Sequence, residues 1–127
     1  MNIKEVFKRT IILDVILIVL VIFSLMFDSE AITQFNNTYS LQSNAVLFIG
    51  VVYLIAYIIN LYFLYTFKKI GKQMYLVLFI IGAILVLVSG SLASNAFTSF
   101  LDFFGSAITG AILVFLYFTP IKKEFDK

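Results

Sequence analysis

The sequence predicts an all-α polytopic membrane protein, with four antiparallel transmembrane helices in one bundle and both the N- and C-termini cytoplasmic. Three observations carry that expectation. The 127 residues are 62% hydrophobic and 13% charged, with a mean hydropathy of +1.08, whereas soluble domains hold roughly a quarter charged residues. Four long apolar runs, at 11–27, 45–67, 74–93 and 101–119, consume most of the chain and leave nothing for a second domain. Crossing about 30 Å of hydrocarbon takes about 20 apolar residues, so each run is long enough for one crossing. The third observation is charge. All nine Lys and Arg fall before the first run (Lys4, Lys8, Arg9), between the second and third (Lys68, Lys69, Lys72) or after the fourth (Lys122, Lys123, Lys127). Cytoplasmic loops carry an excess of Lys and Arg, so these three segments are expected on the inside.

The first run follows a basic start, as a signal peptide would, and Ser29-Glu30-Ala31 offers small residues for cleavage. Its length exceeds the apolar stretch of about 7–15 residues in such peptides, so an uncleaved signal anchor is expected. Asp14 falls one turn inside the basic boundary, where an interfacial ion pair with the lysine turn is expected. The connection 28–44 is polar, with Asn36, Asn37, Thr38, Ser40 and Ser43 as turn formers. Asn36-Asn37-Thr38 matches a glycosylation acceptor. The Ile, Phe, Lys and Asn bias is that of an AT-rich bacterial gene, however, which points to a bacterial inner membrane and makes the match fortuitous.

The turn 68–73 contains Gly71 and is tight, so the second and third runs are expected as antiparallel neighbours. The connection 94–100 is short and uncharged, and ties the third run to the fourth. Asp102 opens the fourth run, where the helix dipole favours a carboxylate by about 0.3–1 kcal/mol. Pro120 stops that helix. Phe63-Leu64-Tyr65-Thr66-Phe67-Lys68-Lys69 echoes the segment 115–123, each reading as an aromatic belt that leads into a basic anchor. The ending Leu116-Tyr117-Phe118-Thr119-Pro120 with its basic tail resembles small bacterial inner-membrane proteins, a likeness that implies no activity.

Polar groups inside the runs are few. Ser99, Asp102, Ser106 and Thr109 recur at i, i+3, i+7 and i+10, a single stripe of a helix. Tyr53 on the second run and Ser89 on the third are expected at similar depth, and Tyr57 and Asn60 continue the Tyr53 face. The eight residues line a candidate polar recess or pore, or serve as interhelical hydrogen-bonding glue worth about 0.6 kcal/mol per bond. Small residues give two packing stripes, Gly82, Ser89 and Ala93 on the third run and Ser106, Ala107, Gly110 and Ala111 on the fourth. Close backbone approach at such stripes holds membrane helices together, so the third and fourth runs are expected to pack on each other.

The chain has no Cys and no His. Thiolate chemistry, disulfides and imidazole acid–base work are thereby excluded, and no enzyme activity, cofactor or metal is expected. The basic residues form three short clusters rather than a face, so nucleic acid is not an expected partner. The expected partners are the lipid bilayer and another membrane protein or a second copy of the chain. Two function classes follow. One is a non-enzymatic protein acting through helix–helix interaction, as an accessory or immunity-type subunit. The other is a small oligomeric channel or carrier whose polar path runs along the fourth and second runs.

Overall fold

The computed structural model describes residues 2–40 and 44–127, so Ser43, one of the expected turn formers, lies outside the described residues. The described chain is helical throughout, with no strand beyond an isolated bridge between Ser40 and Gly90. The elements are α1 (Ile3–Ser24, prolonged by a 3-10 turn Leu25–Phe27), α2 (Glu30–Tyr39), α3 (Asn44–Tyr65), α4 (Lys69–Val88), α5 (Ala96–Phe118) and α6 (Lys122–Phe125). Four of them, α1, α3, α4 and α5, are long and apolar enough to cross a membrane. Their outer faces carry large bare side chains such as Met26, Val86, Leu87, Phe103 and Phe118. Water tolerates no such continuous apolar surface on a monomer, which suits a membrane-embedded chain.

Helix ends differ from the expected ones because capping, not hydropathy, sets them. Asn2 accepts a hydrogen bond from the Lys4 N–H at 3.2 Å, so α1 begins well before its apolar run. The α3–α4 turn is a Schellman motif: the Lys68 N–H donates to the Phe63 carbonyl at 2.9 Å and the Phe67 N–H to the Leu64 carbonyl at 3.0 Å. Its left-handed residue is Phe67, with φ 55°. Gly71, expected to make this turn, instead lies in the first turn of α4, where a Cβ would come within 2.9 Å of Phe63 Cβ. Here α4 lies directly against the α3 backbone.

At the other end of α4 the helix stops at Val88, and Gly90 takes φ 79°. Ala93 therefore lies in the connection and belongs to no helical stripe. Asn95 caps α5 by accepting from the Thr98 N–H at 2.8 Å. The helix dipole acts within the first turn, so Asp102, in the second turn, lacks the expected N-terminal stabilisation. Two helices were not expected from the sequence. α2 is amphipathic and starts at Ser29, whose hydroxyl accepts from the Ile32 N–H at 3.3 Å; α6 is a single turn beyond Pro120.

Packing also departs from expectation. α1 packs chiefly on α5, and α3 on α4; the α4–α5 seam is slight by comparison. The buried core explains this: Phe7, Ile11, Leu61, Leu64, Tyr75, Ile112, Leu116, Ile121 and Phe125 all lie towards the ends of the helices that carry the lysines. Phe7 sits at the centre, with its ring 5.8 Å from Phe67, 5.7 Å from Phe115 and 5.9 Å from Phe125. Here the three basic segments meet. Lys4 pairs with Glu124 at 2.9 Å, Lys72 with Asp126 at 3.5 Å, and Lys8 lies 4.7 Å from the Tyr65 ring centroid. The bundle is thus plugged at the lysine end, while the α1–α5 and α3–α4 pairs leave a gap between them towards the opposite end.

Candidate functional site

That gap is an open cleft of about 1090 Å³, with walls from all four long helices. Ligand pockets run to about 300–1,000 Å³, so its volume is ample for a small molecule. Most of the lining is aliphatic or aromatic: Leu17 and Val21 of α1, Leu54 of α3, Val86 of α4 and Leu113 of α5 are typical. The polar groups are Asp14 of α1, Tyr53 and Tyr57 of α3, and Asp102, Ser106 and Thr109 of α5. Lys and Arg do not occur among the lining residues.

Asp14 stands at the centre of the arrangement. It lies near the middle of the 25-residue span Ile3–Phe27, and is 4% exposed. This corrects the expected interfacial pair with Lys68, Lys69 or Lys72. Two of those lysines are engaged elsewhere, with Lys68 5.1 Å from the Phe63 ring centroid and Lys72 beside Asp126 and the Tyr117 ring, and Lys69 is exposed. The ion pairs among the described residues do not include Asp14. What holds it is the Tyr57 hydroxyl, which donates to Oδ2 at 2.9 Å and lies 3.3 Å from the Tyr75 hydroxyl. Thr109 of α5 faces that same Tyr75 hydroxyl. One polar side chain from each long helix therefore meets at the floor of the cleft. The second carboxylate oxygen, Oδ1, receives no hydrogen bond from a described residue, yet it is not sealed in protein. Asp14 itself borders the cleft.

Of the eight residues expected in a polar recess, Tyr53, Tyr57, Asp102, Ser106 and Thr109 line this cleft. The other three lie elsewhere. Ser99 shares a 2.8 Å hydrogen bond with Ser94 at the start of α5. Ser89 donates back to the Val86 carbonyl at 2.9 Å. Asn60 is fully buried in the α3–α4 seam, where its amide donates to the Gly71 carbonyl at 2.9 Å and accepts from the Tyr75 N–H at 3.2 Å. It ties the hairpin beside Gly71 and does not line the cleft.

The small residues also have other neighbours than expected. Gly82 faces α3, where the Tyr53 hydroxyl lies against it and donates to the Leu78 carbonyl at 3.1 Å. Gly105 and Gly110 have open space where a Cβ would stand, and with Ser106 they line the cleft. Ala107 is exposed and Ala111 half-buried.

A polar clasp joins the helix ends opposite the lysines. Ser24 and Thr98, both buried, share a 2.7 Å hydrogen bond between α1 and α5. The Asn95 amide donates to the Ser24 carbonyl at 3.0 Å and to Asp28. Asn36 of α2 donates to the Ala93 carbonyl at 3.0 Å and accepts from its N–H at 2.7 Å. The Asn36 amide, the acceptor atom of the glycosylation match, is thus committed to holding α2 over the α4–α5 connection.

The sequence signal for Asp14 was available, since a lone carboxylate in an apolar run marks a functional candidate. What hydropathy could not show is its partner, because α1 turns Asp14 towards Tyr57 of α3 rather than towards the lysine turn. Compared with known protein families, with curated proteins and with solved structures, the chain matches none.

Proposed function

We propose that the chain is a small membrane carrier that admits a solute into the cleft and holds it at Asp14. The observation that supports this reading is a carboxylate on the cleft wall, within a membrane-length helix and without a cationic partner among the described residues. An ionisable group at bilayer depth costs about 2.5–3.5 kcal/mol on insertion scales. A packing role would be met more cheaply by Asn or Ser. With the lysine end in the cytoplasm, the cleft opens to the external side, and passage requires the aromatic plug at the lysine end to loosen.

Accessibility provides the test, because the chain has no native Cys to label. In proteoliposomes, Thr109→Cys should react with a membrane-impermeant thiol reagent, and Gly105→Leu should block that reaction by filling the cleft. The vesicles should also swell faster than protein-free ones in at least one isosmotic solution among sodium chloride, choline chloride and glycerol. A shielded Thr109→Cys together with protein-free swelling rates would remove the reading.

One observation favours a helix-binding subunit instead: Gly105 and Gly110 leave backbone bare along α5, as helix–helix contacts in lipid require. A partner helix seated there would shield Thr109→Cys in native membranes and crosslink to Gly105→Cys.

A further inference from the structure

We infer that the ligand of this cleft is a lipophilic organic cation, its positive centre at Asp14 and its apolar body against the aliphatic walls. The inference rests on the carrier reading and names the substrate class for it.

Affinity relative to lipid decides the matter. An apolar solute dissolved in the bilayer already has hydrocarbon around it, so aliphatic walls give it no reason to enter a protein. Only what lipid lacks can hold a ligand here. The cleft offers two carboxyl groups, Asp14 and Asp102, and two phenol rings, Tyr53 and Tyr57. With no Lys or Arg in the lining, an anion finds nothing to neutralise it, and its charge is repelled by both carboxylates. A neutral polar solute would gain hydrogen bonds, but would leave the Asp14 charge uncompensated in a low-dielectric site.

A monovalent cation meets each condition. Asp14 Oδ1 is free to face it, while Tyr57 holds Oδ2 in place. The Tyr53 and Tyr57 rings stack with centroids 6.2 Å apart and 25° between planes, and both border the cleft. Aromatic rings within about 6 Å attract a cation by about 0.5–2 kcal/mol, more so where water is excluded. Asp102 lies seven residues before Thr109 on α5, roughly 10 Å nearer the mouth at 1.5 Å per residue. It is exposed and also lines the cleft, and so offers a first station for the same charge.

The probe is tetraphenylphosphonium, with tetraphenylborate as its counterpart of matched shape and opposite charge. Binding to the intact protein is measured by equilibrium dialysis in mild detergent. Tetraphenylphosphonium should bind saturably, and tetraphenylborate should show only the background of empty micelles. Asp14→Asn keeps the Tyr57 hydrogen bond and the side-chain volume, and should weaken binding by about tenfold or more, the loss expected when a desolvated charge pair is broken. Asp14→Glu should restore most of it. On the unsubstituted protein, tetraphenylphosphonium should also protect Asp14 from a lipid-soluble carbodiimide, as read by peptide mass mapping. Equal binding of the two probes, no binding of the cation, or unchanged affinity in Asp14→Asn would each overturn the assignment. If Thr109→Cys is still labelled in that event, the cleft remains open to solute and only the cation is wrong; if it is shielded, the carrier reading fails as well.

Discussion

Gly71 shows how one residue can be noticed correctly for the wrong reason. A glycine between two lysines suggests a turn, but the left-handed position goes to Phe67, although such backbone costs a non-glycine residue about 1–2 kcal/mol. The ring offsets that cost by packing against Phe7 and, at 5.4 Å, Phe125. Gly71 is kept small by the Phe63–Leu64 backbone, which would lie 3.0–3.1 Å from a Cβ. Backbone cannot swing aside as a side chain can. Gly71→Ala should therefore destabilise the bundle by about 1–3 kcal/mol, the usual range for overpacking. Gly110→Ala, facing open space, should change the melting temperature little in the same detergent. Tyr57→Phe tests the cleft floor at this scale: it leaves the buried Asp14 carboxyl without a donor, at a cost of about 1–3 kcal/mol. Asp14→Asn together with Tyr57→Phe should cost less than the sum of the two single changes.

At the scale of elements, the four long helices were legible because lipid imposes a long apolar run that nothing else in a small chain resembles. α2 was not. Its Asn and Ser content suggested turns, although Ser29 followed by Ile32, Phe35 and Tyr39 is a cap with helical apolar spacing. Caps carry testable weight here. Asn95 both starts α5 and ties it to Ser24 and Asp28, so Asn95→Ala should cost more than the about 0.5–2 kcal/mol of a lone cap. Faster amide exchange should appear in the first turn of α5 and at the end of α1. Ser29→Ala should affect α2 alone.

The tail makes a separate prediction. Glu124 joins Lys127 at 2.8 Å and Lys4 at 2.9 Å, and these hydrogen bonds, that of Lys127 foremost, hold its carboxyl below the usual value. A depressed folded value means the clasp is complete above the unfolded value of about 4.3 and is lost as pH falls through the lower folded one. A carbon-13 titration of the Glu124 carboxyl should show that low midpoint. Lys127→Ala should raise it more than Lys4→Ala does.

Across the whole molecule, charge and packing are polarised in the same direction. The plugged end holds all nine basic residues and only Glu5, Glu124 and Asp126 among the acids, whereas the open end carries Asp28 and Glu30 without a compensating cation. The sequence made this charge asymmetry legible, since each basic cluster stands beside a run. It could not show the cleft, which depends on which helices pair: the short 94–100 connection suggested an α4–α5 hairpin, while the core residues of α5 face α1. Translocating Lys and Arg is disfavoured during insertion, so the plugged end should lie in the cytoplasm and the cleft should open outward. Exposed positions at the two ends make this testable. Asn37→Cys on α2 should react with an impermeant thiol reagent added to intact cells, and Lys69→Cys should react only after the membrane is broken. Lys69 is the better reporter of its turn, because Lys72 is shielded by Asp126 and Tyr117. The reverse labelling pattern would turn the cleft to the cytoplasm. The carboxylates at its floor and mouth would then collect their ligand from inside the cell.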